Sequence, residues 1–159
     1  MSTPDRARLD EMQREMQRST MFTVLLHHAT ASKAGLNVSD AQCVNALMLD
    51  GPQTPGQLAQ LMGITTGGAI TAAIDRLERA GYVKRTRDPD DRRRVIVELI
   101  PENVARFARY FEPISRAFHE RLGAHTDEEI AVLLRWVREN NAAMPGIIEE
   151  IRDLPSPNG

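Results

Sequence analysis

Cysteine is nearly absent from this chain: Cys43 is the only one in 159 residues. An intramolecular disulfide and a cysteine-based zinc site within one chain are thereby excluded. Aromatic residues are scarce at 4%, which argues against a nucleic-acid grip built from base-stacking rings. Long apolar runs are missing, and the longest, such as Ile147-Ile148, are far too short to cross a bilayer. The N-terminal stretch carries Asp5, Arg6, Arg8, Asp10 and Glu11 where a signal peptide has its apolar core, so no membrane partner is expected and the expected location is the cytoplasm. Catalytic signatures are missing as well: there is no nucleophile elbow, no phosphate loop and no histidine–carboxylate spacing suited to general-base work. The acid pair Glu149-Glu150 reads as a polar helix face. His27 and His28 are adjacent, so on a helix they point about 100° apart and cannot hold one ion together. His119 and His125 form no ligand pair either. Neither an enzyme nor a cofactor or metal site is expected. A net charge of −2 and a pI near 6.1 speak against indiscriminate coating of nucleic acid, but not against a localised basic face.

What is present is an ordinary globular composition, 42% hydrophobic and 26% charged, in a length that suits one domain with extensions. Leu9, Met12, Met16, Phe22, Leu25, Leu26 and Ala29 step along one long amphipathic helix from Asp5 to about Ser32, ended by Ala34-Gly35-Leu36-Asn37. Ser39 with Gln42 three residues on reads as a capping box opening a second helix through Val44, Leu47 and Leu49, stopped by Asp50-Gly51-Pro52. Thr54-Pro55 with Gln57 opens a third, short helix that buries Leu58 and Leu61 and ends at Gly63. Thr65 or Thr66 caps a fourth with Ile70, Ile74 and Leu77 on one face, closed by Gly81 as a left-handed residue. Pro101-Glu102 opens a further helix through Val104, Phe107, Phe111, Ile114, Phe118 and Leu122, with a kink expected at Pro113. Thr126 with Glu129 is another capping box, ahead of Ile130, Leu133, Leu134 and Val137. Pro145-Gly146 is expected to break the chain before a last helical piece from Ile147 to Leu154, and 155–159 reads as a disordered tail.

Between the fourth helix and Pro101 lies the most informative stretch. Val83 and Thr86 suggest one short strand, Val95, Val97 and Leu99 its partner, and Asp88-Pro89-Asp90-Asp91 the turn between them. From Gly81 to Arg94 there are six basic residues against three acidic ones, a local excess of positive charge on an otherwise acidic chain. Alone this could be a solvated turn whose charges compensate one another. Thr54 to Ala80 is, however, a helix-turn-helix pattern, and positive charge on a hairpin directly after it suits a wing that reaches a phosphate backbone. The expected architecture is mainly α with a small β-hairpin wing. A winged helix-turn-helix over 35–100 is flanked by dimerisation helices over 1–34 and 101–154.

Gln57-Leu58-Ala59, Gly63-Ile64-Thr65, Ile74 to Val83 and above all Asp91-Arg92-Arg93-Arg94-Val95-Ile96-Val97-Glu98-Leu99 resemble the MarR family of bacterial transcriptional regulators over nearly the whole chain. The last run is similar to the family's wing signature. Ile100-Pro101 departs from it, because the family often has threonine there before its next helix, and that touches a helix cap more than the DNA surface. The resemblance implies an obligate homodimer on a pseudo-palindromic double-stranded DNA operator, often released by a small anionic or phenolic ligand, a metal or an oxidant. The family's usual ligand pocket would fall near His28, Met48 and Phe107 here, and a small aromatic or anionic effector is the partner to expect.

For DNA binding the candidates are Thr54, Thr65, Thr66, Gly67, Gly68, Thr71, Arg76, Lys84, Arg85, Arg87, Asp91, Arg92, Arg93 and Arg94. Small and hydroxylated residues at the start of the fourth helix let its end approach phosphate and place hydroxyls near base edges. The plainer reading makes Thr65 and Thr66 caps and the glycines packing aids; a cap can also touch phosphate, so both hold together. No arginine lies in the first two turns, so guanine readout there is absent and discrimination leans on apolar contacts, water and DNA shape. Arg76 reads either as a backbone contact or as an ion-pair partner of Asp75, Glu78 or Glu98, with the structural role favoured. Asp91 and Arg93 stand two apart on one face of the hairpin, where the carboxylate would aim the guanidinium into a minor groove. Lys84 and Arg85 are expected on phosphates, as are Arg92 and Arg94 unless they only face solvent. Cys43 reads as a buried inert thiol, since no basic residue lies within one helical turn. The apolar faces Leu9-Met12-Met16 and Ile130-Leu133-Val137 lie too far from the winged core for one chain to cover, so a two-fold dimer through the first helix and the C-terminal helices is expected. The competing function is a winged helix used for protein–protein assembly without DNA readout. It calls for an apolar recognition face and a neutral wing, where this chain has threonine, glycine and arginine.

Overall fold

Local capping fixes where most of the helices begin. The structure is a computed structural model that describes residues 5–64 and 67–155, Arg106 by its backbone alone. Helix α1 runs over Arg6–Ala34, with Asp5 accepting from the Ala7 N–H at its start and Gly35 in the left-handed region (φ 70°) at its end. Helix α2, Val38–Asp50, is capped not by the expected Ser39–Gln42 box but by Asn37, whose side chain accepts from the Asp40 N–H at 2.7 Å. The Asn37 amide then donates to the Asp40 carboxylate at 3.0 Å, so one residue satisfies both ends of the cap. Gln42 is thereby released and meets His27 Nδ1 of α1 at 2.6 Å.

Helix α3, Pro55–Leu61, has the expected Thr54–Gln57 capping box in both directions and proline in its first turn. Its 3.2 Å bond from the Gln57 N–H to Thr54 Oγ1 satisfies a donor that a seven-residue helix has few other ways to engage. Thr54→Ala is expected to cost about 1 kcal/mol, measurable as a fall in the urea midpoint with an unchanged slope. Helix α4 covers Gly67–Arg79; the expected caps Thr65 and Thr66 lie outside the described residues. It ends as the sequence suggests, with Gly81 at φ 77°, its N–H on the Glu78 carbonyl and the Tyr82 N–H on the Leu77 carbonyl.

Strands β1 (Val83–Arg87) and β2 (Val95–Leu99) pair antiparallel, from Val83 opposite Leu99 to Arg87 opposite Val95. Gln53 adds a bridge to Val97 on the outer side of β2. Helix α5, Pro101–Ala108, starts at Ile100 without any side-chain cap. The expected kinked helix is instead two helices, α5 and α6 (Glu112–Leu122), with Pro113 the second residue of α6, where its missing N–H costs no helical bond. Helix α7 covers Asp127–Asp153 and runs through Pro145 without the expected break. Asn141, whose carbonyl loses its partner there, is exposed, so water can take the bond.

The residues divide into two compact units, Met1–Glu112 and Pro113–Gly159. The first holds a core of Ala31 from α1, Cys43, Val44 and Leu47 from α2, Leu58 from α3, Ile70, Ile74 and Leu77 from α4, Val83 and Val97 from the hairpin, and Phe107 from α5. Leu61, expected inside, is exposed, and so is Leu49, by 84%. Leu49 lies two residues past buried Leu47, which is the opposite side of a helix. The second unit has no buried residue on α6 or α7.

Candidate nucleic-acid interface

The apolar stripe of α4 faces the core, and that decides what the helix shows to the outside. Gly67, Gly68, Thr71, Asp75, Arg76 and Arg79 are all exposed. A Cβ on Gly67 or Gly68 would meet nothing in the chain, and neither has a positive φ, so nothing in this chain's own packing demands glycine at the two positions. The Thr71 hydroxyl donates back to the Gly67 carbonyl at 2.9 Å, which leaves its oxygen free to accept.

Arg76 is taken, and by a partner that sequence reasoning missed. Its Nε and Nη2 reach Oδ2 and Oδ1 of Asp40 on α2 at 2.8 and 2.7 Å, a two-point pair that ties the helix bearing the exposed face to its neighbour. The expected partners Asp75, Glu78 and Glu98 are engaged elsewhere. Glu98 pairs with Lys84 across the strands at 3.2 Å. Asp75 and Glu78 both hold Arg85, which also donates its backbone N–H to Glu78 at 3.1 Å. Burial works against the charge of Arg85, but the bond to Asp75 and the charge of Glu78 outweigh it and push its basicity further up. Lys84 and Arg85, expected on phosphates, are thus tied within the fold. An arginine in the middle of a wing strand, with two acids in the last turns of the helix before it, is the only signal that the sequence carried for this.

Around the wing tip the order is set by carboxylates acting on the backbone. Asp88 closes the hairpin by donating its N–H to the Arg94 carbonyl at 3.0 Å, and its side chain accepts from the Asp90 N–H at 2.9 Å. Asp91 Oδ1 accepts from the Arg93 N–H at 3.0 Å, and the Asp91 carbonyl accepts from the Arg94 N–H at 2.8 Å. Asp91 therefore fixes the backbone that carries Arg93; the expected grip on the Arg93 guanidinium is not what the structure has. The Arg94 guanidinium lies 3.8 Å from Asp88, and Arg87 Nη1 reaches the Arg92 carbonyl at 3.4 Å. Among the described residues, the guanidinium groups of Arg92 and Arg93 have no partner in the chain. They line, with Arg87, Asp88 and Pro89, an open hollow of about 690 Å³.

The base of the wing is anchored just as firmly. The Tyr82 hydroxyl donates to the Ala34 carbonyl at the end of α1 at 3.0 Å, and Asn103 of α5 donates to the Gly81 carbonyl at 2.6 Å. Tyr82 also packs edge-on against Phe107, ring centres 5.9 Å apart.

A MarR family model matches residues 34–94, from the end of α1 to the wing. The HTH-type transcriptional regulator YcgE of Bacillus subtilis is 35% identical over 130 residues, 82% of this chain and 84% of that protein. The chain belongs to the MarR family. It is a transcriptional regulator of the winged helix-turn-helix type, and its relatives and fold are those of regulators rather than enzymes. The multiple antibiotic resistance protein MarR of Escherichia coli is 31% identical over 81 residues, and the match spans only 56% of that protein and 50% of this one. Among solved structures, a MarR family protein from Bacillus stearothermophilus shares the fold with a TM-score of 0.67 at 21% identity, covering 89% of this chain and 99% of that one. Apo MarR of Escherichia coli follows at 0.52 and 21%, covering 87% and 98%.

The three positions expected to line an effector pocket differ in burial. In this MarR-family chain Phe107 is wholly buried in the core, whereas His28 and Met48 are exposed. Cys43 is buried too, and that burial, with Asp40 nearby, pushes its thiol up to about 11 against the pull of Arg76. Its thiolate is therefore scarce at neutral pH. Among the described residues no group of three or more His, Cys, Asp or Glu side chains could hold a metal ion, and no helix is long and apolar enough to cross a membrane.

Proposed function

We propose that this MarR-family regulator acts as a homodimer that binds a pseudo-palindromic double-stranded DNA operator and represses the genes it controls. The observation that carries the reading is the wing tip. Its turn is held by Asp88 and Asp91 through the backbone, while the Arg92 and Arg93 guanidinium groups project from it with no partner among the described residues. Unpaired arginines on a pre-ordered turn suit a polyanion, because little conformational entropy is left to lose on binding. A wing built for protein–protein assembly would show apolar side chains there instead.

Dimerisation is supported separately in each unit. Helix α1 exposes Leu9, Met12, Met21, Phe22 and Leu25, and α7 exposes Leu133, Val137, Ile147 and Ile151. Side chains of this size at helical spacing lose contact with water when a second copy covers them. A two-fold axis would also set two copies of α4 about 34–36 Å apart, one turn of duplex. Sedimentation at micromolar concentration, alongside gel shifts with a duplex that the protein selects from a randomised pool, tests both parts. A dimer that shifts the selected duplex in preference to a scrambled one is expected. A monomer with DNA binding intact overturns the dimer, and failure to select any duplex overturns the DNA reading.

A further inference from the structure

We propose that Glu78 is a positioning residue for DNA binding, which locks wing strand β1 to helix α4 through Arg85 so that the wing arginines and the exposed face of α4 are presented as one body. The inference rests on the DNA-binding reading above. Glu78 takes two bonds from one residue: its Oε1 accepts the Arg85 backbone N–H at 3.1 Å, and its Oε2 accepts from Arg85 Nη1. Arg85 Nη2 reaches on to Asp75, one turn earlier on the same face of α4. Strand and helix are thus closed into a ring across the Gly81 turn, seven residues apart in sequence.

The wing is rooted in the core by Val83 and Val97, and the Glu78–Arg85 tie adds a polar hold on its α4 side. The wing has only two strands of five residues, and an isolated two-stranded hairpin is at best marginally stable in water. On the β2 side Gln53 supplies a bridge at Val97; on the β1 side the link to α4 runs through Arg85. Glu78 is also an odd residue to find here if charge alone mattered. A carboxylate on the helix that carries the exposed face repels phosphate, so it lowers affinity unless it does something else that raises it.

That opposition of signs makes the proposal testable. If Arg85 were a phosphate contact and Glu78 a bystander, Glu78→Gln would strengthen binding, whereas Arg85→Met would weaken it and lower the salt slope by roughly one. If Glu78 positions the wing through Arg85, both substitutions weaken binding, and the double variant is no worse than Arg85→Met alone. The measurement is the affinity of the wild type, the two single variants and the double variant for the duplex selected by the wild type, across a series of salt concentrations. Each variant is first shown to be folded by circular dichroism. Glu78→Gln is expected to weaken binding about tenfold with the salt slope unchanged. Hydroxyl-radical protection is expected to fade in the minor grooves at the ends of the site and to persist at its centre, a change that a loss of stability alone would not produce. Should Glu78→Gln fail to fold, Asp75→Ala, which removes a single one of the three bonds, is expected to show the same pattern more weakly. Unchanged or tighter binding by Glu78→Gln or its substitute overturns the positioning role, as does a footprint that fades evenly. If the wild type selects no duplex at all, the DNA-binding reading fails first and takes this one with it.

Discussion

Arg76→Met is expected to lower the melting temperature by about 10 °C, far more than Asp40→Ala lowers it. The two residues form one ion pair, yet their surroundings differ. The Asp40 side chain is only 3% exposed, whereas that of Arg76 is 43% exposed. Removing Arg76 strands a carboxylate that is buried in the fold and keeps only the bond from the Asn37 amide. Removing Asp40 frees a guanidinium that already touches solvent and can rehydrate by a change of rotamer. Breaking a buried pair costs most when the partner left behind stays buried, so the penalty follows the direction of the cut. Thermal unfolding of the two variants side by side checks this. Equal shifts would mean that the pair acts as a unit with no buried side, and a larger shift for Asp40→Ala would reverse the assignment. Because Asp40 sits in α2 and Arg76 in α4, Arg76→Met is also expected to bind the selected duplex less tightly at temperatures where it remains folded.

That pair also marks the boundary of what the sequence makes legible. Thr54 and Gln57 are three residues apart, so their reciprocal cap is written in local spacing and holds in the structure. Gly81 is legible for the same reason, since a helix end with a residue at φ 77° has few other solutions. Asp88-Pro89-Asp90-Asp91 between two alternating runs determines the hairpin, and Ile70, Ile74 and Leu77 define the buried side of α4 by their period alone. Local signals fail where two of them compete. Asn37 and Ser39 are both good caps, and what favours Asn37 is its second bond to Asp40, a detail of side-chain geometry rather than spacing. Pro113 and Pro145 look equally disruptive in sequence. One falls in a first turn and the other is carried inside a 27-residue helix whose freed carbonyl is exposed, which depends on where the helices start. The partners of Arg76 and Arg85 are tertiary facts: Asp40 lies 36 residues from Arg76, and nothing in the pattern of charges singles it out from the nearer carboxylates. Turn chemistry and alternation supply the wing but not its wiring, because a pattern of residues records which side chains are present and not which atoms they bind.

Arg93→Ala is expected to weaken operator binding by on the order of 1–3 kcal/mol per subunit, and so by up to twice that in a dimer, while leaving stability unchanged. Its guanidinium has no partner among the described residues, so no bond within the fold is lost, and the whole effect falls on the complex. Arginine suits a narrow minor groove because it is planar, always charged and weakly hydrated, and the negative potential of the groove attracts it at modest desolvation cost. Preference for particular base pairs at the outer flanks of the site is expected to flatten along with affinity. Asp91 separates two accounts of how the arginine is held. An ion pair with the guanidinium would be lost in Asp91→Asn. The structure has Asp91 Oδ1 on the Arg93 N–H at 3.0 Å, a bond that an asparagine oxygen can also accept. Asp91→Asn is therefore expected to bind at least as well as the wild type, since it also removes a negative charge beside the duplex. Asp91→Ala, which leaves the turn without its acceptor, is expected to resemble a milder Arg93→Ala. Titrations of the selected duplex with the three variants, scored against a panel of flank substitutions, decide between them. If Arg93→Ala binds with unchanged affinity and unchanged preference, the wing is a structural ornament and the DNA contacts lie elsewhere. If Asp91→Asn falls as far as Asp91→Ala, the carboxylate acts through its charge and not through the backbone it caps.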